Sequence, residues 1–364
     1  MQDVASSPSI MSRNKINIRL AGPKDLSSWD AYVSSHSNAT PYHLIAWQQA
    51  MEQAYGHKNY SLLAEKENRI VGIFPLCYLR PPLSRGQLVS LPFCDIGGVL
   101  SDSATITKEL IREAVNLSKK LHVSLLEIRT DKDTGTNDST DLPQSTESHK
   151  VRMLLPLPAS SQKLWEDFPS KLRSQVRKAE KNGLSFEWGN AGNIDDFYRV
   201  FSRNMRDIGS PVHAKEWILS VMKTYAERVR MGLVYKDHEP VGCSILLCLG
   251  HKASVPWAST LQEFNRLAPN MLLYWKMLQY AADNGFQEFD FGRSTPDEGT
   301  YRFKAQWGAQ PVPLFWHRIH VDENIPAPGE KSSTKRATAA ALWQKLPLPV
   351  ANLLGPIIRK YISL

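Results

Sequence analysis

The chain has 364 residues, 42% hydrophobic and 22% charged, a length that predicts two domains, each large enough to bury its own core. Scattered glycine and proline exclude collagen-like or low-complexity protein, and no apolar run reaches the length of a spanning helix. Of the formal net charge of +8, residues 331–364 hold six cations and no acid, so about +2 remains for the rest and a broad grip on nucleic acid by the body is excluded. Four cysteines without a CxxC spacing read as reduced, buried thiols. With an N-terminus lacking a secretory signal, they predict a cytoplasmic protein.

Residues 16–21 predict a strand, followed by helices from Asp25 and over 41–55. A hairpin follows, YSLLAEK and RIVGIFPLCYL around a turn at Glu67–Asn68. Residues 86–100 read as strand-like, 106–123 as an amphipathic helix and 124–130 as a strand. The polar run 131–150 predicts a flexible loop.

The second half repeats the order. A stripe through Leu164, Phe168, Leu172, Val176 and Ala179 predicts one helix ending near Gly183. A strand over 184–188, helices from 194 and 214, and a second hairpin over 231–249 follow. A helix from Pro269 to Asn284 and a strand over 286–292 complete the set. At an offset of 170 residues, Val71–Gly72 falls on Val241–Gly242 and Leu63 on Leu233, which points to a duplicated α/β unit. The predicted organisation is 15–130, a loop over 131–150, 151–321, and a basic, amphipathic segment over 322–364.

Two segments carry chemistry. In SKLRSQVRKAEKNGL (170–184), five cations oppose one acid on a helix face; Arg173 and Arg177, one turn apart, suit a phosphate or carboxylate, and a solvated basic face is the equal alternative. In FDFGRSTPDEGTYRFKAQWG (289–308), Asp290 ends a strand and Arg293 and Ser294 follow on a polar loop. Tyr301, Phe303 and Trp307 surround Lys304; that lysine suits an oxyanion stabiliser, or it lays its stem on the aromatics with its amine in water. His317 and His320 fall on opposite sides of a strand, so no metal pair is expected.

These segments, with WASTLQEFNRLAPNMLLYWKMLQYAADNGF, resemble the FemAB-related branch of the GNAT superfamily, and more narrowly its exosortase (PEP-CTERM) and exopolysaccharide-associated members. The resemblance covers about residues 15–320. It implies an α/β (α+β) protein of tandem GNAT-like domains, each a mixed, mostly antiparallel sheet flanked by helices. It implies an acyl- or aminoacyl-transferase acting on an amine or hydroxyl of a peptidoglycan, cell-envelope or exopolysaccharide precursor. Lys304, Asp290 and Tyr301 would then be the catalytic candidates, and Arg173, Arg177, Arg293, Ser294 and Trp307 would bind substrate. No tightly bound cofactor or metal is implied; the donor is aminoacyl-tRNA or acyl-CoA, and the acceptor a lipid- or nucleotide-linked saccharide. A degenerate, non-catalytic saccharide-binding scaffold is the other outcome. The stretch Asn265–Asn270 lacks the glycines of a GNAT acetyl-CoA loop, and Pro269 removes a backbone donor. Residues 350–364 place apolar side chains on one helical face, interrupted at Gly355–Pro356; the segment suits either docking on its own domain or, through 341–364, a peripheral contact with the inner leaflet.

Overall fold

The computed structural model describes residues 16–133, 140–321 and 332–363. The two hairpins anchor the architecture, and the duplication is visible in their registers. Ala64 pairs with Gly72 and Val234 with Gly242, and both ladders shift at the equivalent step, Ala64/Glu65 and Val234/Tyr235. Both turns place two successive residues at positive φ, Glu67 and Asn68 in one and Asp237 and His238 in the other, the twist that a tight two-residue hairpin needs.

The helices Ile45–Tyr55 and Lys215–Tyr225 stand at the same offset, and they pack on each other. Their aromatic side chains join the halves: the Trp47 and Trp217 rings meet edge-on with centroids 5.0 Å apart, and Trp257 stacks on Trp47 at 5.9 Å. One apolar core therefore spans both halves, flanked by a second core in the C-terminal half and a third in the N-terminal half.

The second half builds a seven-stranded sheet in the order Leu184–Gly189, Val229–Lys236, Glu239–Leu249, Lys252–Thr260, Glu288–Ser294, Val151–Pro156, Gln310–Pro313. All neighbours are antiparallel except Lys252–Thr260 with Glu288–Ser294. The first half forms a four-stranded sheet (Asn17–Leu20, Leu62–Lys66, Arg69–Phe74, Leu100–Ser101). Beside it lies a six-stranded one (Lys58–Asn59, Cys77–Leu79, Gln87–Val89, Leu125–Thr130, Phe315–His320, Gln144–Glu147). The strand Phe315–His320 thus leaves the second half and pairs antiparallel with Leu125–Thr130.

Several elements differ from the sequence expectation. The single helix through 164–179 is two, Ser161–Asp167 and Ser170–Lys181, because Phe168 ahead of Pro169 adopts an extended backbone. Part of the polar run 131–150 is ordered: Gln144–Glu147 pairs with the edge of Phe315–His320, while 134–139 lie outside the described residues. The C-terminal segment is continuous from Leu348 to Arg359 despite Pro356. Its small face packs closely, and a Cβ on Gly355 would stand 3.0 Å from the Val212 backbone nitrogen. Further bonds tie the end of the chain down: Phe93 N–H donates to the Ser363 carbonyl at 2.7 Å, and His57 Nε2 to the Lys360 carbonyl at 2.8 Å. The segment is docked on the body.

Candidate active site

The parallel strands Lys252–Thr260 and Glu288–Ser294 pair only from Lys252↔Glu288 to Ser254↔Asp290 and then part. Pro256 lies just beyond the last pair, and a proline has no N–H to continue a ladder. A cavity of about 290 Å³ opens between the parted strands, lined on one side by Val255 to Ala258 and on the other by Phe291, Gly292 and Arg293. The first half closes it with Tyr42, Phe93, Cys94 and Asp95, the helix Gly299–Ala305 contributes Thr300 and Lys304, and the C-terminal helix contributes Arg359. Two backbones are specialised here. Gly292 has φ 75°, with space for a Cβ restricted by the Val255 carbonyl at 3.2 Å. Phe93 holds φ 68°, a conformation uncommon for a bulky residue.

Lys304 is 7% exposed. Its Nζ donates to the carbonyls of Arg293 at 2.7 Å and Gly292 at 3.1 Å. Burial pulls its ammonium down to about 8, against Asp95 and Asp290 and with help from Arg293. An ammonium has three N–H bonds, so two on fixed carbonyls leave one for the cavity. Of the two roles the sequence left open, an amine in bulk water does not describe this group.

Arg293 lies in the same cavity, its backbone N–H donating to Asp95 Oδ2 at 3.1 Å and its guanidinium 5.1 Å from the Trp316 ring centroid. Burial pushes the Cys94 thiol up, with Arg129 opposing, so it is poorly suited to act as a thiolate nucleophile. Tyr42 is likewise held well above the ordinary phenol range, by burial and then by Asp290 and Asp95.

Other sequence candidates fall elsewhere. Asp290 does not line the cavity: Oδ2 pairs with Arg152 at 2.8 Å and Oδ1 accepts the Gly292 N–H at 2.8 Å, so both oxygens are spent inside the sheet. Trp307 is buried in the second core, edge-on to Phe168, and its ring does not reach the cavity. Ser294 is buried beside Val151, and Tyr301 packs on the second core. Arg173 and Arg177 are not among the cavity's residues. Arg173 Nη1 donates to the Glu166 carbonyl at 3.2 Å, and Arg177 lies over Trp165. The cations that meet at the cavity are therefore Lys304, Arg293 and Arg359, and the candidates Arg173 and Arg177 stand apart from it.

Sequence reasoning passed over Asp95, Pro256 and Arg359. Two had visible signals: a proline inside the apolar run SVPWAS, and small residues four apart, Ala351 and Gly355, leading on the same helix face to Arg359.

Residues 167–305 match the family model described as an acetyltransferase (GNAT) domain, a stretch that includes both parted strands and Lys304. The crystal structure of FemX superposes with a TM-score of 0.64 at 16% identity, covering 82% of this chain and 96% of that one. The chain has a tandem GNAT fold. The tandem GNAT protein from the clavulanic acid biosynthesis pathway superposes with a TM-score of 0.54 at 12% identity, over 86% of this chain and 100% of that one. The C-terminal domain of a putative lysylphosphatidylglycerol synthetase from Agrobacterium fabrum gives 0.55 at 12% identity, over 88% and 96%. A comparison with the curated proteins found no match.

A second hollow, of about 690 Å³, shares Arg293 with the first. Arg129, Arg318, Trp316, Trp343, Ile358 and Ile362 are among its walls, so the tail roofs it. On the helices Ser332–Gln344 and Leu348–Arg359, Leu342, Val350, Leu353, Leu354, Ile357 and Ile358 are exposed, Leu353 by 69% and Ile357 by 55%. Among the described residues no helix is long and apolar enough to cross a membrane, and no group of three His, Cys, Asp or Glu is placed to hold a metal.

Proposed function

We propose that the protein is an acyltransferase of FemAB-like type, moving an aminoacyl or acyl group from an activated ester to an amine or hydroxyl of a cell-envelope or exopolysaccharide precursor. The observation that carries this is the buried Lys304 amine, held by two carbonyls at a cavity whose parted strands and lysine belong to the GNAT-matched segment. In such a reaction the acceptor nucleophile attacks the ester carbonyl and a tetrahedral oxyanion develops. The third N–H of Lys304 donates to that oxygen, and the burial of the amine strengthens the interaction. The leaving alcohol then takes the proton that the nucleophile gives up. Arg293 orients the substrate, and the hollow beyond it gives a saccharide acceptor room to extend.

An aminoacyl ester is favoured over a CoA thioester by the loop ahead of Pro269–Asp283. There the Ala268 N–H is bonded to the Asn265 carbonyl and the Met271 N–H to the Ala268 carbonyl, and Pro269 has none. Few donors remain to cradle a pyrophosphate. The acyl-CoA reading is favoured by the description of the matched family. Calorimetry with CoA thioesters, beside a transfer assay with aminoacyl-tRNA, separates them: micromolar CoA affinity with no aminoacyl transfer selects the CoA reading. Turnover of neither donor, with saccharide binding retained, would select a scaffold.

For location, the four cysteines are free and buried, in keeping with a cytoplasmic enzyme. The exposed tail ridge, in a segment rich in cations and free of acids, suits the surface of an anionic inner leaflet, where a lipid-linked acceptor is presented.

A further inference from the structure

Four charged side chains line the Lys304 cavity, and three of them are cations: Lys304, Arg293 and Arg359. The one anion, Asp95, is engaged by Arg293, whose Nε lies 3.5 Å from Oδ1. Arg359 is different in kind. Its Nε donates to His213 Nε2 at 3.1 Å, and among the described residues no carboxylate pairs with it and its terminal nitrogens carry no protein hydrogen bond.

His213 supplies no counter-charge. It is buried, and burial first and Arg359 second hold it neutral, well below the ordinary imidazole range. Because an arginine only donates, Nε2 is the acceptor and Nδ1 carries the proton, which goes to Tyr55 Oη at 2.9 Å. Burial pulls Arg359 down to about 10, with Arg293 and Arg129 adding repulsion and Tyr55 opposing. A buried guanidinium with no carboxylate paired to it is costly unless a ligand brings an anion.

We propose that Arg359, carried by the C-terminal helix, forms with Arg293 a site for a substrate diphosphate, to which the Lys304 ammonium adds its charge while its free N–H stays for the acyl oxygen. The lining carries three positive charges and one negative, so a dianion balances it where a single carboxylate leaves half uncompensated. The fork of Arg359 suits two phosphate oxygens. Arg359 lies outside the 167–305 segment matched to the GNAT family, so the site is complete only with the tail docked. As an account of which substrate is used, this rests on the transfer reading; as an account of binding it stands on the cavity alone.

The test is calorimetric binding of inorganic pyrophosphate to the full chain, beside acetate, with UDP and farnesyl diphosphate distinguishing a nucleotide from a lipid source. Expected is pyrophosphate binding at least tenfold tighter than acetate, weakened at least tenfold in Arg359→Gln and partly restored in Arg359→Lys. Hydrogen exchange over 348–359 reports whether the tail stays docked in each variant. If Arg359→Gln undocks it, Arg293→Gln decides, and unchanged affinity there overturns the proposal. It is equally overturned if docked Arg359→Gln binds pyrophosphate like wild type, or if acetate binds as well as pyrophosphate. Diphosphate binding lost in Arg359→Gln without transfer from any donor would sink the transfer reading and leave the site standing.

Discussion

Asp290 and Arg152 form an ion pair at 2.8 Å, each about 5% exposed, across the irregular step between Val151–Pro156 and Glu288–Ser294. The other oxygen of Asp290 fixes the N–H of Gly292, whose carbonyl receives Lys304. Asp290 is thus a positioning residue. Asp290→Ala leaves a buried guanidinium short of a partner, and urea denaturation should show a loss of about 3–5 kcal/mol. Asp290→Asn keeps the shape and removes a charge that supports the Lys304 ammonium, so the alkaline limb of its activity profile should move below that of wild type.

Lys304→Ala should lower kcat/KM for transfer at least a hundredfold, with the circular dichroism spectrum unchanged. Turnover within a few-fold of wild type would remove the lysine from the reaction.

The sign of the pH dependence follows from the role. In the proposed reaction the charged amine stabilises the oxyanion, and that amine is present below about 8 and lost above it. Rate should therefore fall as pH rises through about 8, and Lys304→Arg, if active, should lose that fall. A rate that climbs through the same range would make the lysine a general base instead.

Much of the fold was legible in the sequence. The equivalence of Val71–Gly72 and Val241–Gly242 extends to strand register and to the turn residues, because a hairpin's geometry is set locally. The apolar positions 110, 111, 114, 115 and 117 are all buried. The candidate site was legible at Lys304 and Arg293, which share one strand-and-helix segment, although Arg293 and Ser294 end the strand Glu288–Ser294 rather than follow it on a loop. It was not legible at Asp95 or Arg359, since both reach the cavity through tertiary packing between distant segments. Trp307 was misread because an aromatic beside a cation looks alike in sequence whether it faces a ligand or a core.

The tail ridge gives a separable prediction. Leu353→Asp and Ile357→Asp alter exposed side chains and should leave thermal stability nearly unchanged. Both should reduce co-sedimentation with vesicles rich in anionic phospholipid. Gly355→Leu instead forces a side chain against Val212 and should raise hydrogen exchange along 348–359.

Glu127 and Arg129 are 3% and 1% exposed and meet at 2.6 Å, with Arg318 at 3.0 Å from the other oxygen. Burial raises the Glu127 carboxyl, but the two guanidinium groups outweigh it and hold it below the usual range. Glu127→Ala should cost about 3–5 kcal/mol by chemical denaturation.

Because Phe315–His320 completes the sheet begun by residues far upstream, a nascent chain carries Leu125–Thr130 with one margin bare until translation has passed residue 320. A truncated product would keep that margin open to other chains. The late strand acts as a clasp between the first-made and last-made parts of the molecule, so cutting the gene at its midpoint should yield two sticky fragments rather than two working modules.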